Sequence, residues 1–393
     1  MADELSTVRG EVEIDGEAYR LLACRVREAI SEVPVALIEI TTLDSANNAG
    51  PPDPAGMVGK PVKLTLHRSD DSASRVFVGS AVEVTRLADE DGRPFTRLRV
   101  SPRLFRLGKR RTSRTFQDMS VPEIVEAVLV DPTYAGRLPL PASRLTGTFD
   151  AREYCVQYGE TDWDFLSRLL ADEGIACFFD HANGSAFTLI DDTTIAAPRL
   201  ASPIPFSDPS NQNPIVLASP DAPHVQTVVI TSKVETSAVT LRDYDFEKPE
   251  FILEARKAIA PGAAFHNEAA LESYGFEVGA FTLQTPGDQR ALATLEAARS
   301  GHRRLRCTTS FALPPGTVMS LVDHPRHELS ADFLVVRAHA VSEFGKRTVR
   351  EIELMDQGER FRPARRPKAR IHGTQTATVV GAPGEEIDVD KHG

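Results

Sequence analysis

Apolar and polar positions alternate along the first hundred residues, at Val12 and Ile14, Tyr19 and Leu21, Val62 with Leu64 and Leu66, Ala81 with Val84, and Phe95 to Val100. A period of two puts successive side chains on opposite faces of a strand, so these runs predict β-structure buried on one side. Turn chemistry separates them at Asp15-Gly16, Gly50-Pro51-Pro52-Asp53-Pro54 and Asp91-Gly92. That punctuation predicts an antiparallel sheet or small barrel, with the stretch around Pro51 as a surface loop.

From Ser113 to Asp192 the pattern becomes helical in two places. Ser120 and Glu123 form an S-x-x-E capping box around Pro122, ahead of the apolar face Ile124, Val125, Ala127 and Val128. Thr161 caps a second helix, whose early acids Asp162 and Asp164 suit the positive helix end. Its stripe is Trp163, Leu166, Leu169 and Leu170, and Gly174 supplies a left-handed stop. A hairpin follows, from Ile175–Phe179 to Ala186–Ile190, turning at Asn183-Gly184. After Pro203-Ile204-Pro205, strand patterns return at Val225–Thr231, Val239–Phe246, Val318–Leu321, Phe333–Val341 and Val349–Leu354, interrupted by a helix carrying Ala291, Leu292, Leu295 and Ala298. The run Gly59 to Leu64, Phe77–Val84 and Phe95–Val100 is echoed by Gly316–Leu321, Phe333–Val341 and Val349–Leu354, as a duplicated β-module would give.

Composition is that of an ordinary globular chain, 393 residues with 41% hydrophobic and 26% charged, long enough for two to four domains. No apolar run reaches the roughly 20 residues of a spanning helix, and the acidic start predicts a cytoplasmic protein without a signal peptide. A net charge of -11 opposes general affinity for nucleic acid. Two basic runs depart from that average: Arg103, Arg106, Lys109, Arg110, Arg111 and Arg114, and Arg360, Arg362, Arg365, Arg366, Lys368 and Arg370. Lacking interleaved aromatics, they read as solvated connectors or inter-subunit contacts. Cys24, Cys155, Cys177 and Cys307 show no paired spacing and read as small buried hydrophobes.

The catalytic patterns fail one by one. His327-Glu328 begins a zinc-hydrolase motif, yet position 331 is Ala where the second His belongs. The His324-Pro325-Arg326 segment therefore reads as a polar turn between strands. Asp191 and Asp192, near Asp180 and His181, read as a strand-ending turn. No nucleophile elbow or phosphate-binding loop occurs. The expected helix pairs of Arg168 are Asp164 and Asp172, at i,i+4 spacing.

The stretch from Arg152 to Ile175, REYCVQYGETDWDFLSRLLADEGI, resembles the signature of VgrG spike proteins of type VI secretion. Ser101–Phe105, Arg114–Val121 and Leu189–Asp192 flank it as in that family. Pro315-Gly316, His324-Pro325 and Arg242–Phe246 resemble second-barrel and insertion motifs, and Gly373–Gly381 with Gly384–Ile387 resembles the start of an OB-fold. The resemblance implies a mainly β fold with an α+β insertion: tandem phage-tail-hub-like barrels with an α/β module between them. The implied divisions are 1–107 for the first barrel, 108–205 for the module, 206–362 for the second barrel with a helical insertion at about 247–304, and 363–393 for a linker and incomplete OB-fold. The implied function is structural, with no catalytic residue, cofactor or metal. The implied assembly is a homotrimer that adapts a threefold spike to a sixfold Hcp-type tube, meets baseplate proteins, and carries a PAAR-type cap and effectors through a missing C-terminal part. It would be built in the cytoplasm and injected, without nucleic acid or a membrane anchor. A phage or tailocin hub, and a tip with an enzymatic domain beyond Gly393, are the alternatives. The signature residues expected to matter structurally are Arg114, Phe116 and Gln117, then Tyr154, Gln157, Tyr158, Glu160, Asp162, Phe165, Arg168, Glu173 and Gly174.

Overall fold

The computed structural model describes residues 10–41, 53–67, 73–88, 94–134, 138–181, 184–208, 210, 212–218, 222–260, 262, 265–276, 281–343, 348–374 and 376. Its first strands are β1 (Gly10–Ile14), β2 (Glu17–Ala29), β3 (Val35–Thr41), β4 (Pro61–His67), β5 (Ala73–Ala88) and β6 (Pro94–Ser101). They pair in the order β1-β4-β5-β6-β3-β2, and β2 returns to β1, closing a six-stranded barrel. The alternation in the sequence is the inside and outside of this barrel: Val12, Ile38, Leu64, Phe77 and Leu98 fill it, while Arg25, Arg27 and Arg99 face out. Helix α1 (Pro54–Met57) delivers Met57 to the same core. Asp91-Gly92 and most of the Pro51 loop lie outside the described residues.

The next part is α/β. β7 (Arg111–Met119) pairs with β9 (Arg152–Thr161), and against them pack α2 (Val121–Leu129) and α3 (Asp162–Asp172). The short β8 (Ala142–Arg144) lines up beside the hairpin β10 (Ala176–Asp180) and β11 (Ala186–Ile190). Both helix starts are those the sequence predicts. The Glu123 carboxylate accepts from the Ser120 N–H at 2.8 Å and its hydroxyl at 2.7 Å, and Thr161 Oγ1 accepts the Asp164 N–H at 3.1 Å. Of the hairpin turn, Gly184 is described with φ +70°, and Asn183 lies outside the described residues.

After β12 (Ile204–Pro205), α4 (Pro214–Ala218) and β13 (Val225–Ser232), the chain inserts a small sheet of β14 (Ala238–Asp243), β15 (Leu253–Ala258) and β16 (Glu272–Phe276), covered by α5 (Gln284–Arg299). It then completes a second barrel with β17 (Arg303–Thr309), β18 (Val318–Val322), β19 (Asp332–Glu343) and β20 (Val349–Asp356). The order here is β12-β18-β19-β20-β17-β13, and Phe206, just past β12, bridges Val225 in β13. This is the strand order of the first barrel, one for one. β12 differs in running parallel to β18, where β1 is antiparallel to β4.

The correspondence extends to single residues. The bulge at Leu21/Ala23 opposite Ile40 and Glu39 recurs at Val225/Thr227 opposite Thr309 and Thr308. The bulge at Ala81/Glu83 opposite Val100 and Arg99 recurs at Val335/Arg337 opposite Leu354 and Glu353. Gly59 donates to the Ala81 carbonyl as Gly316 does to that of Val335, both at 2.8 Å. Both glycines sit at φ +84° to +85°, where a side chain would be strained. The two barrels share one long sheet because β2 outruns β1 and β19 outruns β18, and the protruding halves pair antiparallel from Ala29↔Arg337 to Ala23↔Glu343. The OB-fold expectation rests on residues that, from 377 on, lie outside the described set.

Candidate functional site

The signature stretch occupies β9 and α3, and its polar side chains converge under the start of α3. Asp162 is 0% exposed, and an unpaired carboxylate there would cost several kcal/mol. It accepts from Arg114 Nη2 at 2.8 Å, Gln157 Nε2 at 2.7 Å, Arg110 Nη1 at 3.3 Å and the Tyr134 hydroxyl. Arg114 donates further to Gln157 Oε1 at 2.9 Å and Asp131 Oδ2 at 2.6 Å, and Arg110 reaches Asp131 at 2.8 Å. Two guanidiniums, two carboxylates, an amide and a phenol thus satisfy one another. Burial works to raise the Asp131 carboxyl, but hydrogen bonds from Thr133 and Arg110 more than reverse this and hold it well below the usual range. Burial, reinforced by Asp162, pushes the Tyr134 phenol above its ordinary value.

Other signature residues act beside this cluster. Phe116 and Phe165 stack with centroids 5.5 Å apart. Arg168 does not take the expected Asp164 or Asp172. It donates to Glu160 at 2.6 Å and to the Val156 carbonyl at 3.3 Å, because its side of α3 lies against β9 while Asp164 points at the exposed cap. Glu173 accepts from Arg152. Gln117 and Tyr154, opposite each other in register, are both exposed, and Tyr158 is half-buried, so the fold does not bring these three into the cluster. Arg110, Asp131 and Tyr134 complete the network without being singled out by sequence reasoning. Arg110 belongs to a noticed basic run, while nothing in the local sequence marks Asp131 or Tyr134.

In the second basic run Arg366, Lys368 and Arg370 are exposed, as a solvated connector would be, whereas Arg360, Arg362 and Arg365 are partly buried against acids of the same chain. Arg360 pairs with Asp192; Arg362 donates to Glu296 at 2.8 Å, to the Asp191 carbonyl at 2.7 Å and to the Gly174 carbonyl. Arg365 lies 3.4 Å from Asp172 and Arg366 3.5 Å from Asp164. The acids of α3, of the β11 end and of α5 form a lane that the arginines match, so the segment clasps the α/β module to the insertion helix.

Ser185, His181 and Glu28 line up like a hydrolase triad, with Ser185 Oγ 2.8 Å from His181 Nδ1 and His181 Nε2 3.3 Å from Glu28. All three are buried, and the Ser185 hydroxyl donates to the Val78 carbonyl at 2.6 Å. Glu28 also pairs with Arg75, and His181 stacks on Phe77 with centroids 4.2 Å apart. The cluster is a joint between the first barrel and the hairpin. Asp191 accepts the Thr146 and Gly147 N–H groups at 2.8 Å each, a turn anchor as expected. His324 packs on Phe206 at 4.3 Å between β18 and β19. The four cysteines are free and buried.

Two like barrels joined edge to edge, with an arginine segment clasping the α/β module to the insertion helix, define a tandem-barrel architecture. The chain belongs to the phage tail baseplate hub family, whose model matches residues 27–343. It is 28% identical over 408 residues to the type VI secretion system spike protein VgrG1b of Pseudomonas aeruginosa, with 100% of this chain and 52% of that protein covered. To VgrG5 of the same organism it is 31% identical over 406 residues, covering 95% and 48%. The chain spans about half the length of these curated relatives. Among solved structures it matches an E. coli component of the type VI secretion system that exhibits structural similarity to T4 bacteriophage tail proteins gp27 and gp5. The TM-score is 0.65 at 18% identity, covering 92% of this chain and 81% of that one.

Proposed function

We propose that this chain is the structural base of a contractile-injection spike, acting as a homotrimer and without catalysis of its own. The observation that carries the reading is the duplicated barrel: three chains supply six nearly equivalent barrels, so a threefold spike can present a sixfold rim to a ring-shaped tube protein. The family membership and the spike proteins among its relatives support it. The buried signature network and the arginine clasp then serve rigidity, holding the module and insertion fixed on the barrels while the assembly is driven forward. Tube protein of the Hcp type, baseplate proteins, and a cap and cargo carried beyond the barrels are the partners this reading assigns. Injection from the cytoplasm is the route. Native mass in solution tests it: a species at three times 42.9 kDa is expected for the 393-residue chain, and co-purification with a tube protein is expected of that species. A strict monomer with no tube affinity would refute it. The hub family model equally supports a phage-like particle, which would share the trimer and differ in its tube partner.

A further inference from the structure

The outward face of the joined sheet carries charge that the chain leaves unneutralised. In strand register, Arg99 of β6 stands beside Leu37 of β3, and Leu37 beside Arg25 of β2. One step along, Val35 stands beside Arg27, and Arg27 beside His339 of β19 across the seam. The three arginines are exposed, and among the described residues none has a hydrogen-bonding or ion-pair partner. Arg97, on the same strand as Arg99, differs in holding Glu39 at 2.7 Å. Arg25, Arg27 and Arg99 line a groove of about 590 Å³, with Val35 and Leu37 between them. That volume falls in the roughly 300–1,000 Å³ range of ligand clefts. Burial lowers the His339 imidazole, and Arg27 and Arg25 lower it further against the pull of Glu351, as a local excess of positive charge does.

We infer that this groove binds an extended segment of a partner protein that carries carboxylates two positions apart and aliphatic side chains between them. Charge complementarity is the first argument: on a chain of net charge -11, these arginines are a local surplus of the opposite sign. Spacing is the second. Arg25 and Arg27 are successive residues on one face of β2, about 7 Å apart, and side chains i and i+2 of an extended peptide recur at the same interval. Each carboxylate can take a two-pronged pair from one guanidinium, while the aliphatic side chains cover Val35 and Leu37. The lining also selects against other anions. Glu32, Glu351 and Glu353 stand in the same groove, so a polyanion charged at every repeat meets repulsion that two spaced acids escape. Among the described residues no Phe, Tyr or Trp lines the groove, so nucleic acid finds no stacking platform there. The groove lies within one chain, so the inference goes beyond the hub reading and does not depend on trimer formation.

The test is fluorescence anisotropy of a labelled octapeptide of alternating glutamate and leucine, titrated with the 393-residue chain at about 50 mM salt, where screening is modest. Saturable binding is expected. Arg25→Gln and Arg27→Gln should each weaken it about three- to fivefold. Arg97→Gln should leave it within about twofold, because Glu39 already engages that charge. An octapeptide of the same composition with its glutamates contiguous should bind at least about fivefold more weakly, since its acids no longer share one face. A peptide of alternating lysine and leucine should not bind. The substituted arginines are exposed, and an unchanged thermal melt followed by Trp163 fluorescence establishes that each variant is folded. Absence of binding, binding indifferent to Arg25 and Arg27, or equal affinity for the contiguous peptide or for a single-stranded oligonucleotide would overturn the inference. None of these outcomes bears on the hub reading, which native mass tests separately, and a monomer that binds the peptide in this way would overturn the hub reading alone.

Discussion

Removal of the Asp162 carboxylate is the most informative perturbation of the signature network. In Asp162→Ala, Arg114 and Arg110 lose one of their two anionic partners, Gln157 Nε2 is left with the Glu160 carbonyl at 3.2 Å, and the buried Tyr134 hydroxyl loses its acceptor. Breaking a buried ion pair from one side costs about 3–5 kcal/mol. The arginines keep Asp131 and are 21% and 28% exposed, which lowers the expected cost to about 2–4 kcal/mol. Trp163 is the next residue and the sole tryptophan, so its fluorescence in a urea titration reads unfolding at the perturbed site. With a urea slope of about 1–3 kcal/mol/M, the Trp163 midpoint should fall by about 0.7 M or more. Asp162→Leu combined with Arg114→Met should cost less than Asp162→Ala alone, because it removes charge from both sides. A midpoint unchanged by Asp162→Ala would refute the claim that this network holds α3 against β7 and β9.

Gly174→Val should destabilise by about 1–3 kcal/mol, read as a lower melting temperature. The glycine sits at φ +70°, and a Cβ would meet the pinned Arg362 guanidinium at 2.7 Å; an unchanged melting temperature would remove the cap assignment. Burial pushes the Cys24, Cys177 and Cys307 thiols up to about 12, so native protein should be inert to an aromatic disulfide reagent at pH 8 and react once denatured; rapid native labelling would contradict the buried placement. Glu28 is raised by burial but more strongly lowered by Arg75 and His181, and Asp192 is lowered on balance by Thr194 and Arg360. Their folded values lie below the unfolded ones, so they stabilise above about pH 4 and that contribution fades as pH falls through the folded values. Stability should therefore hold from neutrality to about pH 5 and decline below about pH 4; a decline beginning near pH 6 would implicate a histidine instead.

Much of the fold was legible because the relevant forces are local or periodic. The period of two marked most strands of both barrels but missed β3 and β17, and the capping chemistry of Ser120 and Thr161 located both helix starts to the residue. The glycines 59 and 316 exposed the duplication. The signature told that Arg114, Gln157 and Asp162 matter but not that they meet, since they come together only when β7 pairs with β9. Asp131 and Tyr134 were illegible for the same reason: their role is set by what folds over them. The partners of Arg360, Arg362 and Arg365 were illegible because charge in a sequence looks like solvent exposure and these acids stand roughly 65 to 195 positions away.

Edges such as those of β5 and β13 pose a deeper version of this difficulty. Side-chain chemistry can be searched for in a sequence, whereas an open strand edge binds through N–H and C=O groups that every residue except proline carries. Neither Val82–Ala88 nor Thr227–Ser232 has a composition that sets it apart from a solvated strand. They become distinguishable only when the two barrels are superposed strand by strand, because one barrel then displays the edge covered and the other displays it unpaired among the described residues. A duplicated fold thus carries its own reference, and the seam from Ala29↔Arg337 to Ala23↔Glu343 shows that edge covered.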